Sequence, residues 1–469
     1  MTTTPALDVL HDFRGAAYAC CGRRADALFD LTDALLVAGP VPSPAHLSLA
    51  PAHRRGWGSL YAALAHGRLA RHALRNLVAR YPLTDGQAVY AVDVSVWARC
   101  DAETSPQRGY YYHPSRHSAG QPIVAGWAYQ WINQLGFVRD SWTAPLDVRR
   151  VRPGADANTL AAAQIKDLVA RLPADSPTPL FVFDAGYDPV QLALDSGETP
   201  AALLVRLRKD RCFYADPDPA TAAATGRPRR HGRKFVCKDP TTWPEPTAEY
   251  TTTAEQYGRV RVRAWAGLHA KVQNHAAKGT RGPKPIIRGT LVMVEVSRLP
   301  QQTREPQVLW LWWQGPGTPA LDLLWRAYVR RFDQEHTFRF LKHTLSWTTP
   351  RVRHPEQADR WTWLVLLAYT QLRLARLLVV DQRLPWERRL PAQALTPYRV
   401  RRAFPSLLPL LGTPANPPQP CGRSPGRPKG AHSGRAPLSG HQNGCLTPPS
   451  SLFPAFRGIT HRLRALPRG

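Results

Sequence analysis

One stretch of this 469-residue chain could set three kinds of reactive side chain on a single helical face. In Tyr328-Val-Arg-Arg-Phe-Asp-Gln-Glu-His-Thr-Phe-Arg-Phe-Leu-Lys342, the residues Tyr328, Arg331, Glu335 and Lys342 stand at offsets 0, 3, 7 and 14. At ~100° per residue they fall within roughly a 60° arc of an α-helix. Leu324, Trp325 and Phe332 lie on or beside that arc, so the face is expected to pack inward. The plainer alternative is a solvated helix with an i,i+4 pair between Arg331 and Glu335.

Two aspartates could join Glu335. Asp93 lies inside the apolar run Tyr90-Ala-Val-Asp-Val, where a carboxylate is costly unless it is paired or binds a cation. Asp184 ends the run Leu180-Phe-Val-Phe-Asp-Ala-Gly-Tyr187, and the carboxyl ends of strands are where open α/β sheets place their chemistry. Gly186 permits a tight turn beside it. Taken singly, either aspartate reads equally well as a structural cap or turn former. Three carboxylates suit two Mg²⁺ ions, about 3.5–4 Å apart, serving an in-line displacement at phosphorus. Such hard cations take oxygen ligands and keep some waters and phosphate oxygens. Arg331 and Lys342 would then hold a phosphate backbone near the scissile bond.

The surrounding elements must bring these groups together. Residues 6–80 carry apolar side chains at three- and four-residue spacing, broken by the Pro- and Ser-rich Pro40 to Pro51. Arg54, Arg55, Arg68, Arg71 and Arg75 decorate this helical segment, which reads equally well as a small DNA-binding domain or a cap on the core. Strands are expected over Ala88 to Ser95, Pro122 to Trp131 and Ser141 to Val151. A helix follows from Ala157 to Leu172, N-capped by Asp156. Then come a strand at Pro179 to Asp184, a short helix from Pro189 and a strand from Ala201 to Leu207. The order is β-β-β-α-β-α-β, an α/β class. Residues 208–315 break the pattern with basic loops and strand-like runs at Val260 to Trp265, Thr290 to Val296 and Gln307 to Trp313. Thr318 to Leu345 reads as one long helix and Trp361 to Val379 as another. From Pro414 onward Pro, Gly, Ser and Arg dominate without periodicity, as in disordered chain.

Composition narrows the partner. The formal net charge is +28, with 62 basic against 34 acidic residues. GC-rich coding explains the dominance of Arg over Lys but not the shortage of acids, and the excess points to a polyanion, nucleic acid above all. Seven cysteines without a CxxC pair argue against a disulfide scaffold or a zinc site and fit a reducing compartment. No apolar run is long enough for a transmembrane helix, and the first ten residues do not read as a secretory signal.

The spacing Y-x₂-R-x₃-E-x₆-K resembles the YREK signature of bacterial insertion-sequence transposases, matched at Tyr328, Arg331, Glu335 and Lys342. Asp184-Ala-Gly-Tyr187 is similar to the motif around that class's second aspartate, and the order of elements agrees over roughly residues 85–380. The resemblance implies a ribonuclease H-like, retroviral-integrase-like mixed sheet with a β-rich insertion before the last catalytic helix, plus an N-terminal helical domain. Together with the composition, it divides the chain into 1–84, helical and a candidate for DNA-end binding; 85–207, first part of the core; 208–315, the β-rich insertion with basic loops; 316–400, the Glu-bearing helix and those after it; and 401–469, a Pro-, Gly- and Arg-rich tail expected to be disordered. It implies a DDE transposase in which Asp93, Asp184 and Glu335 hold two Mg²⁺ ions, with Mn²⁺ able to substitute. Water frees a 3′-OH at the element end, and that hydroxyl attacks target DNA. Tyr328, Arg331 and Lys342 would contact the DNA end, and Trp265 is a candidate to stack on a flipped base. Double-stranded DNA is the implied partner, bound as a homodimer in the bacterial cytoplasm at the nucleoid, with no membrane.

Arg227, Arg229 and Arg230, in Gly226-Arg-Pro-Arg-Arg, and the later Gly426-Arg-Pro-Lys resemble minor-groove hooks or, equally, solvated turns. His113 reads as a packed or surface histidine before a ligand. Two rivals remain: a non-catalytic DNA-binding protein or decayed transposase, and another ribonuclease H-like nuclease such as a junction resolvase.

Overall fold

The β-branched run after residue 88 forms β1 (Val89–Ala98), which pairs antiparallel with β3 (Ile123–Leu135) and parallel with β5 (Leu180–Phe183). A short β2 (Gly109–Tyr112), absent from the expected order, and β4 (Thr143–Val151) both flank β3. β6 (Ala202–Leu207) lies parallel to β5. Between these strands run α6 (Ala157–Val169), whose N-cap Asp156 accepts from the Asn158 amide as expected, and α7 (Pro189–Ser196). The computed structural model describes residues 5–39, 43–83, 88–112, 122–138, 140–218, 229–271, 285–299 and 307–419. The chain divides into one unit of residues 1–111 and 124–417, and another of 112–123 and 418–469. The first holds all the described helices and strands apart from the terminal residues Tyr112 and Ile123.

The segment expected as an insertion continues the same sheet. β12 (Gln307–Gln314) pairs antiparallel with β6, then β11 (Arg288–Val296) with β12, and β10 (Gly258–Ala270) with β11. β7 (Cys212–Tyr214), β8 (Lys234–Val236) and β9 (Ala248–Ala254) complete twelve strands in a mixed sheet. Those three escape sequence reading because two are only three residues long and β9 is a mostly exposed Thr-rich strand.

Strand alternation gives the sheet two buried faces. Tyr90, Val92, Phe181, Phe183, Leu203 and Val205 point to α6 and α7. Val89, Ala91, Leu180, Val182, Ala202 and Leu204 point the other way, into the core shared with α8 (Leu321–Arg330). A third core joins the N-terminal helices α1 (Pro5–Ala19), α2 (Ala25–Val37), α3 (Pro44–Leu47), α4 (Trp57–His66) and α5 (Arg71–Ala79) to α10 (Pro355–Leu374) and α11 (Pro397–Leu411). Leu28, Leu31 and Leu35 are fully buried there beside Leu364 and Leu367, so the N-terminal segment packs as a cap on the core. Arg54 and Arg55 serve that packing, since both bind the fully buried Asp30.

Two expectations need correction. The single helix over 318–345 is two, α8 and α9 (Asp333–His343). At the break the Phe332, Gln334 and Glu335 amides bond three residues back, to Val329, Arg331 and Phe332. The cause is a change of partner: Leu324 and Tyr328 of α8 belong to the sheet-face core, whereas Phe338 and Leu341 of α9 belong to the helical core. The tail expected from residue 401 starts later, because α11 runs to Leu411 and buries Val400, Ala403, Phe404 and Leu407. Pro405 and Pro409 inside that helix hid it from propensity reasoning. No described helix is long and apolar enough to cross a membrane.

Candidate active site

Two strands and one helix end set the geometry. The parallel register aligns Val92 with Phe183, so Asp93 and Asp184 follow side by side where β5 stops. Alternation puts both on the face of Val89, Ala91, Leu180 and Val182, the face on which α8 packs. Asp184 takes a turn: its Oδ1 accepts from the Gly186 amide at 2.9 Å, and a Cβ at Gly186 would lie only 3.0 Å from that oxygen. Tyr187 is buried against Phe183, its hydroxyl without a hydrogen-bond partner. Burial and the charges of Asp93 and Asp184 hold that phenol well above its ordinary range.

Arg331, at the end of α8, reaches this pair. Its Nη1 donates to Asp93 Oδ2 at 3.0 Å, and its Nη2 lies 3.8 Å from Glu335 Oε1. The guanidinium is buried, with its carbon 5.7 Å from the Tyr328 ring centroid and 5.1 Å from that of Phe332. Burial opposes its charge, but Asp93, with smaller help from Tyr328, Asp184 and Glu335, keeps its pKa raised. Asp93 shows the opposite stress. Burial pushes its carboxyl up to about 7; Arg331 pulls it down, while Asp184 and Glu335 push it up. Lys342 is half-buried, with Nζ 5.9 Å from the Trp347 ring centroid; burial lowers its pKa and Asp93 partly offsets this.

The structure thus assembles Asp93, Asp184, Arg331 and Lys342, with Glu335 at the rim. Glu335 sits in the first turn of α9 with its side chain 55% exposed. The i,i+4 contact noted as the plainer alternative is present, and the expected inward face holds only on the α8 side: Tyr328 and Arg331 are buried, whereas Phe332 and Glu335 are exposed. Among the described residues, no three His, Cys, Asp or Glu side chains stand ready to hold a metal ion, so the carboxylates do not converge as a closed cage. The donor chemistry still fits a hard divalent cation: all three are carboxylates, and the repulsion of the other two raises Asp93. Tyr328 is only 3% exposed, its hydroxyl without a hydrogen-bond partner, so it supports Arg331 where a DNA contact was expected.

Trp265 needs the same correction. It is 2% exposed, donates from Nε1 to the Pro244 carbonyl at 2.8 Å and packs among Phe235, Trp243 and Trp310. An indole so enclosed is core, not a stacking platform. Arg229 is exposed and Arg230 half-buried, whereas Arg227, His113 and Gly426-Arg-Pro-Lys lie outside the described residues.

The family model for DDE superfamily endonuclease matches residues 17–271, more than half of the chain. This chain belongs to that family. The mixed α/β architecture, with helices on both faces of a large sheet, is consistent with the ribonuclease H-like fold of a DDE enzyme. Nuclease-type chemistry on DNA follows at the level of the family. The matched span takes in α2 to α5 together with Asp93 and Asp184; Glu335 lies beyond it. No curated protein matches the chain.

Proposed function

We propose that this chain is a transposase that cleaves DNA at the ends of an insertion sequence and joins the freed 3′ end to target DNA. The observation that carries this reading is the register placing Asp93 and Asp184 side by side on the α8 face, with Arg331 fixed against Asp93. The Tyr328, Arg331, Glu335 and Lys342 spacing supports the finer assignment to the YREK-signature class. Asp93, Asp184 and Glu335 would hold Mg²⁺ or Mn²⁺. When bound, such ions supply an activated attacking oxygen and stabilise the leaving 3′ oxygen.

The chain's own residues do the rest. Asp93 must be ionised to act as a ligand, and Arg331 favours that form across the 3.0 Å contact. The buried Tyr328 ring and the more exposed Phe332 ring flank Arg331 and hold its fork, so its donors are aimed in advance at a carboxylate or phosphate oxygen. Lys342 adds a second positive charge near Asp93 and offsets the approach of a phosphodiester. Exposed Glu335 closes on the pair from α9, a helix separate from the one that anchors Arg331. A homodimer on double-stranded DNA, acting at the bacterial nucleoid, completes the reading.

The test uses purified full-length chain, Mg²⁺ or Mn²⁺, and a duplex carrying the sequences that flank its own coding region. Wild type is expected to nick that duplex and to join a pre-cut 3′-OH end to plasmid. Asp93→Asn, Asp184→Asn and Glu335→Gln should each lower both activities on the order of 10³-fold, the scale of losing several kcal/mol of charge stabilisation. Undiminished nicking by Glu335→Gln removes that residue from the site. Nicking without joining favours a hydrolytic nuclease over a transposase.

A further inference from the structure

Away from the carboxylates, Arg23, His66, Gly67, Arg68, Leu69, Arg71 and Arg360 line a cavity of about 320 Å³ between the N-terminal helices and α10. Four of the seven are arginines and none is acidic. The backbone fixes their spacing: the Arg68 amide donates to the Arg23 carbonyl at 3.0 Å, and the Gly22 amide donates to the Arg68 carbonyl at 2.8 Å. Gly67 lets the chain pass close beneath, since a Cβ there would lie 2.4 Å from the Ala63 carbonyl oxygen. Arg360 is tied from the floor, donating to the Leu64 carbonyl at 2.6 Å and the Ala65 carbonyl at 3.3 Å.

Among the described residues, most of the charges in this cavity form no ion pair with an acid. No carboxylate among the described residues pairs with the side chain of Arg23, Arg68 or Arg360. Arg71 meets Asp359 at 3.3 Å, but that carboxylate also receives Arg150 at 3.0 Å and Tyr129 at 2.9 Å. Other arginines nearby are committed internally: Arg75 binds Asp147 at 2.6 Å, and Arg54 and Arg55 bind Asp30. The wall also runs through Leu69 and Arg71, on either side of Ala70, which begins α5 without a capping side chain. Uncapped amides at a helix start favour an anion.

We propose that this arginine-lined cavity is a second DNA contact, taking one or two backbone phosphates of the duplex at a distance from the cleavage chemistry. Forked guanidinium groups suit phosphate oxygens, and a bound phosphate relieves the mutual repulsion of Arg71 and Arg360. Burial and the repulsion of Arg71 hold Arg360 below its ordinary pKa, against the weaker pull of Glu356 and Asp359. The contact carries no base readout, so it sets affinity and register rather than sequence.

The proposal rests on DNA being the substrate, and its test keeps cleavage out by working in chelator. Binding of a fluorescent duplex is followed from 50 to 300 mM salt for wild type, the Arg23→Ala/Arg68→Ala double variant and the Arg23→Lys/Arg68→Lys variant. Both side chains are exposed, and melting temperature checks the fold. The Ala variant is expected to bind roughly tenfold more weakly, with a salt slope smaller by about 1–2, and the Lys variant to recover most of both. Equal slopes for wild type and the Ala variant overturn the proposal while leaving the DNA reading intact. Absence of any duplex binding by wild type overturns both. A parallel melt with inorganic phosphate separates the sources: stabilisation of wild type alone, with unchanged duplex binding, assigns the cavity to a free anion and overturns the DNA contact.

Discussion

The carboxylate centre and the arginine cavity are charged in opposite senses and balanced in opposite ways. At the strand ends, a buried arginine has been brought in to meet the acids: Arg331 touches Asp93 and approaches Glu335. In the cavity, among the described residues no carboxylate forms an ion pair with Arg23, Arg68 or Arg360, although Glu356 and Asp359 act on Arg360 from a distance. The first arrangement holds a site folded without a ligand, at the cost of a stressed carboxylate. The second leaves charge in reach of solvent, where it is inexpensive to keep. Buried functional charge therefore needs an internal counter-ion, and exposed functional charge does not.

The sharpest way to break that contrast is Arg331→Met. It leaves the half-buried Asp93 facing Asp184 without its cation, and breaking the pair costs about 3 kcal/mol, the low end for a buried pair, because the carboxylate keeps some exposure. Urea unfolding at pH 8 should show that loss, with a smaller one at pH 5, where Asp93 takes up a proton. No change at pH 8 would mean that the pair is not the internal balance described. Next in size is the cation: Mg²⁺ at about a hundred times its dissociation constant should stabilise wild type by about 2.7 kcal/mol. A chelator should reverse the gain, and Asp93→Asn should lack most of it in the same melts.

Asp93→Asn also sharpens the contrast without metal. Because the folded pKa of Asp93 is raised from 3.8 to about 7, protonation favours the fold. Its stabilising contribution is complete below about pH 4 and is lost as pH rises through 7. The Asn variant should match wild type near pH 4 and exceed it by about 1–3 kcal/mol at pH 8. A constant difference across that range removes the titration of Asp93 from the account. The smallest effect belongs to the cavity: Arg23→Ala and Arg68→Ala should alter stability by no more than about 0.5 kcal/mol each. A larger loss would show that those guanidinium groups serve packing, as Arg54 and Arg55 do.

The sequence exposed the sheet well, and the reasons are local. The apolar runs around Asp93 and Asp184, the Asp156 cap and Pro189 at a helix start each act within a few residues, and each marks an element where expected. Apart from the short or exposed strands and the proline-bearing α11, what escaped depends on remote partners. Nothing between Val329 and Asp333 is Gly or Pro, so the break in the Glu-bearing helix had no local sign; it reflects two cores that meet at Arg331. Trp265 offered an aromatic ring in the right segment, but only the packing of Phe235, Trp243 and Trp310 around it shows that it is enclosed. Of the five arginines noted in the N-terminal helices, Arg54, Arg55 and Arg75 proved internal. The cavity instead drew in Arg23 and Arg360, the latter almost three hundred residues from Arg68.

The pairing of β12 with β6 also bears on how the chain is made. Leu207 aligns with Trp310, so this one ladder closes a loop of about a hundred residues, and such long-range closure comes late and slowly. Arg331 and Glu335 follow that ladder in the chain. A nascent chain that has emerged only as far as β6 carries both aspartates but neither the arginine that steadies them nor the third carboxylate. Topology thus makes the candidate carboxylate centre a late part of the molecule to be assembled, after the whole sheet extension has been synthesised.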